Sequence, residues 1–403
     1  MGLSDKIFGS ARDRFGKEVA ARIRAHDLIA QADYDPEQFQ VVYQRRDDGT
    51  RGQVLLANTF RECEGASPED RRTRIDKLAA IAGAPPLPQT WAAALPLLRP
   101  VLRPATFGQG QDLAKRTPVT RPALPYLAEL VVMDTPESMA YVTANMLATW
   151  GVNADDMFAA ARANLAEPAM RTLDGDKPAQ PSLIQFVDNG DDYFGSLPLV
   201  DGWLAGMGAQ LGVRPLVFIP DHNGLLLTGD ATAKALNALL KLAADKYREA
   251  VRPLSPLPYT VNEDGDVVSY EVPEDHPAWL ALRHNEVILA VNVYGHQAER
   301  LRTQYERDGI DVFVASLLSF RSPSGTDFTI ATWTDGISSS LPQAHYVSFP
   351  GAGDDDSFYV PWQAVATELN LTAEDGTNPP RFRVEGWPDQ EIMDRLRKLS
   401  ELP

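Results

Sequence analysis

Apolar residues recur at every fourth position from Ile7 through Ala11, Phe15 and Val19 to Ile23, with Phe8 beside them. That spacing makes one stripe of a helix, predicted to run from Ser4 as its cap to about residue 28. The polar face carries Lys6, Arg12, Arg14, Lys17, Arg22 and Arg24 against Asp5, Asp13 and Glu18. Such a basic excess suits a membrane-surface helix, but the interrupting acids favour a helix docked on its own domain. The pattern then turns strand-like in "QVVYQRRDDGTRGQVLLAN", two runs around Asp48-Gly49 that predict a hairpin. Ser67-Pro68 opens a helix that Gly83 stops. A short helix is expected around Trp91. Residues 99–122 read as extended strand or linker, because each proline removes a donor and disfavours helix in the residue before it.

"LAELVVMDTPESMAYVTANMLATWG" predicts a strand at 130–133 and then a helix capped by Thr135, with Pro136 and Glu137 in its first turn. Met139, Val142, Met146 and Trp150 form its stripe, and Gly151 ends it. Asn153 caps the next helix, "ADDMFAAARANLAE". Residues 199–211 around Trp203 and Leu204 are helical in pattern but weakened by Gly202, Gly206 and Gly208. "RPLVFI" and "LLLTGD" are strands meeting at Asn223-Gly224. Asp230 is expected to cap "ATAKALNALLKLAADKYREAV", and "LPYTVNEDGDVVSYEV" to turn at Asp264-Gly265. Residues 273–277 look like a boundary. After it come a short helix near Trp279, a strand "VILAVNVY", a helix "HQAERLRTQYERDG", and strands in "DVFVASLLSF", "DFTIATWTD" and "AHYVSF". A helix after Pro361, the strand "RFRVEGW" and a helix from Pro388 complete the chain. The expectation is an α+β protein, antiparallel or mixed sheets covered by helices, in two domains. The first joins 1–125 to a core at 126–272, and the second spans 274–403.

Composition narrows the function classes. With 403 residues, 44% hydrophobic and 23% charged, the chain is ordinary globular material for two or three domains. No apolar run reaches the ~18–20 residues that span a bilayer. The first residues lack the apolar core of an export signal, and the single cysteine, Cys63, allows no internal disulfide; both point to the cytoplasm. Net charge is −17, unevenly placed: residues 1–125 hold 19 Lys+Arg against 15 Asp+Glu, and the remainder 19 against 40. A body at −21 repels phosphate backbones, so nucleic acid is excluded as its partner, whereas a basic protein is attracted.

Three segments carry a family likeness: "AELVVMDTPESMAYVTANMLATWGVNADDMFAAARANL", "DGWLAGMGAQLGVRPLVFIPDHNGLLLTGD" and "PYTVNEDGDVVSYE". In element order they resemble the YtpQ-like proteins of bacteria, a family without an assigned biochemical role. The resemblance covers 126–270, extends toward residue 1, and implies no catalytic residue. The loop at 171–182 and some 130 residues after Pro273 depart from it.

The search for chemistry yields candidates and no motif. No G-x-S-x-G, Walker A, G-x-G-x-x-G, H-E-x-x-H or C-x-x-C occurs. Asp221, His222 and Asn223 place an acid, an imidazole and an amide on one loop, though each also serves a tight turn. Cys63 lies between Glu62 and Glu64, which oppose thiolate formation. His276, His284, His296 and His345 fall in the C-terminal part, with Glu299 on the same helix face as His296; a fold that gathers them would hold zinc. Asp188, Asp191 and Asp192, and Asp354, Asp355 and Asp356, lack calcium-loop spacing. Ser338, Ser339 and Ser340 read as loop, with no visible base. No catalytic, cofactor-binding or metal residue is assigned, and no cofactor is expected. The leading expectation is a non-catalytic protein-binding or adaptor role through the acidic surface or the C-terminal domain. The alternative is a metal-assisted hydrolase using His and Asp/Glu of that domain.

Overall fold

The computed structural model describes residues 10–108, 117–136, 138–174, 183–187, 193–222, 224–230, 232–351 and 357–401. The chain is α+β and forms two compact units. One comprises residues 1–99, 132–142 and 146–153, the other 100–131, 143–145 and 154–403. Residues 274–403 share the second unit with 154–272, so the segment at 273–277 does not part compact bodies.

In the first unit, helix α1 (Ala11–Arg24) starts from Ser10, whose side chain accepts from the Asp13 N–H while Asp13 reaches back to the Ser10 N–H. Ser10 caps this helix through a reciprocal capping box with Asp13; the expected cap Ser4, with Ile7 and Phe8, lies outside the described residues. The stripe of Phe15, Val19 and Ile23 is buried against Ile29, Val41, Val54 and Ile75. Burial within the unit accounts for that apolar face without a membrane. Strands β1 (Ile29–Asp35), β2 (Gln40–Arg45) and β3 (Arg51–Leu55) form an antiparallel meander, with Gly49 at φ +69° in the expected β2–β3 turn. Gly16 lets the Tyr34 ring cross α1: a Cβ there would stand 2.2 Å from the ring. The helix at Pro68–Ala80 takes Ser67 as its cap, as expected.

The predicted helix from Thr135 is not formed. Strand β4 (Leu98–Pro104), β5 (Thr120–Leu124) and β6 (Leu127–Asp134) lie in the order β4-β6-β5. After β6, Thr135 accepts from the Ser138 N–H at 3.0 Å and closes a turn into β7 (Met139–Tyr141). A Thr-Pro pair starts a turn as readily as a helix, and pairing of β7 to β6 decides between them. Helix begins only at Ala144 and ends at Trp150, with Gly151 at φ +70°.

In the second unit a five-stranded sheet runs β12-β11-β9-β10-β8, with β8 (Ile184–Val187), β9 (Pro215–Asp221), β10 (Gly224–Gly229), β11 (Pro253–Val261) and β12 (Val267–Ser269) all antiparallel to their neighbours. β9 and β11 are buried at nearly every position, so both faces of the sheet are covered there. The helix Ala233–Glu249 is capped by Thr232, not Asp230, whose carboxylate instead accepts from Tyr270. Beneath the buried Glu129 of β6, two cations converge: Arg121 Nε at 2.8 Å and Arg162 Nη2 at 2.7 Å.

The largest departure from expectation is one helix, α2, spanning Trp279–Asp308. "VILAVNVY" lies inside it. That run is apolar except for the exposed Asn292 because the helix is packed on opposite faces, and a nearly continuous apolar run has no period that separates strand from buried helix. Asn285 and Tyr294 are nine positions apart, about half a turn out of phase at 3.6 residues per turn. Asn285 Nδ2 donates to the Leu240 and Pro256 carbonyls, both at 3.0 Å, while Tyr294 OH donates to the Pro380 carbonyl at 2.8 Å. Beyond α2 lie two mixed sheets. One has the order β14-β15-β17-β18, with β14 (Leu317–Arg321), β15 (Asp327–Thr332), β17 (Tyr346–Phe349) and β18 (Phe358–Pro361). The other is β13-β16-β19, with β13 (Phe313–Val314), β16 (Ser339–Pro342) and β19 (Arg381–Val384). Ser339 and Ser340 thus sit in a buried strand, not a loop; pairing with β13 and β19 overrides the low strand propensity of a serine run.

Removing the Asn285 amide, as in Asn285→Ala, leaves two buried carbonyls without their donor and is expected to cost about 2–4 kcal/mol. Urea unfolding of the variant measures this. A loss below about 0.5 kcal/mol would show that water replaces the amide.

Candidate functional site

Two cavities in the second unit meet at Pro125, Tyr126 and Gln343. The first, about 370 Å³, is walled by Pro122, Pro379, Pro380 and the Tyr126 and Tyr294 rings. Those rings pack edge to face, centroids 6.1 Å apart, and the Tyr294 hydroxyl is fixed by the Gln343 N–H as well as the Pro380 carbonyl. Tyr126 itself has a left-handed backbone, φ +61°, at the β5–β6 turn. The second cavity, about 310 Å³, is polar: Ser269, Tyr270 and Glu271 face Arg283 and Glu286 of α2, with Thr329 and His345 opposite.

Each polar group is held from a different element. Arg283 and Glu286, three positions apart on α2, share a face and pair at 3.1 Å. The Arg283 guanidinium also lies 5.2 Å from the Trp279 ring centroid. His345, just before β17, is clamped by Thr329 of β15. The Thr329 N–H reaches Nδ1 at 2.9 Å, its hydroxyl lies 2.8 Å from the same nitrogen, and the His345 N–H donates back to that hydroxyl at 3.1 Å. An amide N–H only donates, so Nδ1 is the bare nitrogen and the ring proton sits on Nε2. Burial, and then the Arg283 charge, hold the His345 pKa down at about 4. Burial raises the Glu286 carboxyl, and raises Tyr126 to about 12. Perturbed groups of three kinds around one cavity mark it as the candidate site.

The residues singled out from the sequence fall mostly elsewhere. His345 is in the site. His284 is one residue from Arg283 but pairs with Asp327 at 2.6 Å, and Arg321 holds the same carboxylate at 2.6 and 2.9 Å. The Arg321 bond, above all, keeps Asp327 below its ordinary pKa. His276 Nδ1 accepts from the Ala278 N–H at the start of α2, while His296 and Glu299 point outward from it. The four histidines are not assembled, and among the described residues no group of three or more His, Cys, Asp or Glu is placed to hold a metal ion. His222 follows β9, half-buried and 3.4 Å from Arg252; burial first, then Arg252 and Arg103, lower its pKa to about 3. Asn223 and both aspartate clusters lie outside the described residues. Cys63 is half-buried, and burial raises its thiol pKa. Ser340 hydrogen-bonds Glu374, which also pairs with Arg383.

Tyr126, Arg283 and Glu286 were not anticipated. The "RHNE" cluster at 283–286, set against the apolar run that follows it, was the available signal. Comparison with protein-family models, with curated proteins and with solved structures finds no match to this chain. Among the described residues, no helix is long and apolar enough to cross a membrane.

The His345 assignment has a pH signature. The unfolded imidazole protonates near pH 6.5 and the folded one near pH 4. Between those values the unfolded chain binds more protons, so this stabilisation is complete above pH 6.5 and is lost as pH falls toward 4. His345→Asn keeps an acceptor for the Thr329 N–H and removes the titration. Its urea midpoint should fall less steeply than the wild type's from pH 6.5 to 4; an unchanged slope would mean that the folded ring titrates normally.

Proposed function

We propose that the protein is a non-catalytic binding protein that draws an extended segment of a partner protein into the two-chamber cleft. The observation that carries this is a proline- and tyrosine-walled chamber that shares Pro125, Tyr126 and Gln343 as wall with a polar one. Rigid aromatic rings are strong anchors for a peptide because they lose little conformational entropy on binding. The prolines have no N–H, so their part of the wall offers ring faces rather than backbone donors. The −21 charge of residues 126–403 adds long-range attraction for a basic partner. The likeness of 126–270 to YtpQ-like proteins and a cytoplasmic setting belong to the same proposal.

The test is capture of partners from the native cell extract on wild-type protein and on Tyr126→Asn, at low and high salt. Asparagine tolerates the left-handed backbone at this position, so the variant removes the ring without adding strain. A stoichiometric partner that the variant loses, and that leaves the wild type at high salt, is the expected result. A partner bound equally by both proteins would place the contact elsewhere.

A further inference from the structure

The polar chamber contains a contact that no arrangement of protons satisfies. Arg283 Nη1 lies 2.6 Å from His345 Nε2, while the Thr329 N–H lies 2.9 Å from Nδ1 of the same ring. A guanidinium and an amide are both obligate donors, and a neutral imidazole has one bare nitrogen to accept with. One of the two approaches must therefore be donor against donor. The Thr329 amide is fixed in β15, paired to β14 and β17, and its hydroxyl is locked to the His345 backbone as well. The Arg283 side chain, partly open to the cleft, is the part that can yield. Nε2–H then lies beside the guanidinium at the cavity with no acceptor of its own among the described residues.

We propose that this donor pair is the recognition site for a monocarboxylate, one oxygen accepting from His345 Nε2–H and the other from Arg283. A carboxylate presents two oxygens in the spacing that paired N–H donors match. A dianion such as phosphate fits less well, because Glu271 and Glu286 line the same cavity and repel a second negative charge. Glu286 already accepts from Arg283 at 3.1 Å and shares its charge, leaving the imidazole proton for the incoming group. The other wall is apolar: Leu257, Leu282 and Ala290 lie beside these donors, a low-dielectric setting that strengthens a charge-assisted bond. The inference deepens the binding role above and rests on it for the source of the carboxylate, the free C-terminus of the partner segment or a small carboxylic acid.

The full-length protein, labelled with ¹⁵N-histidine, is titrated at constant ionic strength with acetate, acetamide and inorganic phosphate. The His345 signals are assigned by their loss in His345→Asn. Acetate is expected to shift the Nε2–H resonance of His345, acetamide to leave it unmoved, and phosphate to bind more weakly than acetate. Arg283→Gln should weaken acetate by about tenfold or more, and Arg283→Lys by less; the wild-type comparison of acetate with acetamide needs no variant to fold. No His345 response to acetate, or an equal response to acetamide, overturns the site. Acetyl-triproline as free acid and as amide then separates the sources. A free acid that binds more tightly than both acetate and its own amide upholds the site and the partner-segment role together. A free acid no tighter than acetate upholds the site for a small acid and removes the partner-segment role. Acid and amide bound alike, with acetate silent, leave the peptide cleft standing and remove the carboxylate site.

Discussion

A helix that is dry on opposite faces offers little water to its polar side chains, so a fully buried amide on it is stable only with protein partners. Helix α2 carries two fully buried amides, Asn285 and Gln297. Asn285 is tied to the carbonyls of Leu240 and Pro256, and Gln297 donates to the Pro379 carbonyl at 2.7 Å. Gln297 also accepts from Nε of Arg381, a guanidinium with 0% exposure. Its Nη1 donates to the carbonyls of Ala315 and Ser340, and the cation lies 5.7 Å from the Tyr294 ring, with no carboxylate bonded to it among the described residues. Burial lowers its pKa to about 10, still far enough above neutrality to keep it charged. These bonds fix both the rotation and the axial position of α2, and they explain why the chain on either side of residue 273 forms one unit.

The cleft follows from that fixed rotation. With Asn285 locked inward, Arg283 and Glu286 turn together toward the β11–β12 edge and His345. Along β15, Asp327 and Thr329 are two positions apart and share a face, so one strand holds both His284 and His345 against α2. The two histidines meet opposite fates. A carboxylate and an arginine absorb His284, whereas an amide and a hydroxyl seize Nδ1 of His345 and leave its other nitrogen facing the cavity. A tautomer set by the backbone, beside an arginine and a half-buried carboxyl, is an arrangement suited to holding a polar group in one orientation.

Local punctuation was legible wherever one signal had one outcome. Asp48-Gly49 and Asp264-Gly265 form their turns with both glycines at positive φ, and Ser67-Pro68 opens its helix. Where the same residues serve two structures, reading them in order failed. Thr135-Pro136 suits a turn as well as a helix, and pairing to β6 chose the turn. Ser10 caps the first described helix because Asp13, three residues on, completes the box. Thr232 displaced Asp230, which bonds a tyrosine forty residues away. Ser339 and Ser340 gained their strand from neighbours on both sides.

What the sequence determined by itself was the α+β class, the hairpins, the apolar face of the first helix and the uneven charge, because each depends on spacing within a few turns of chain. The site was decided by tertiary structure alone. Arg283 and His345 stand 62 residues apart, and nothing in either neighbourhood shows that the other will arrive. Their meeting depends on the buried amides of α2, whose partners lie between 29 and 84 residues away in sequence. Hydrogen bonds of that reach are invisible to periodicity, and only the folded chain brings their ends together.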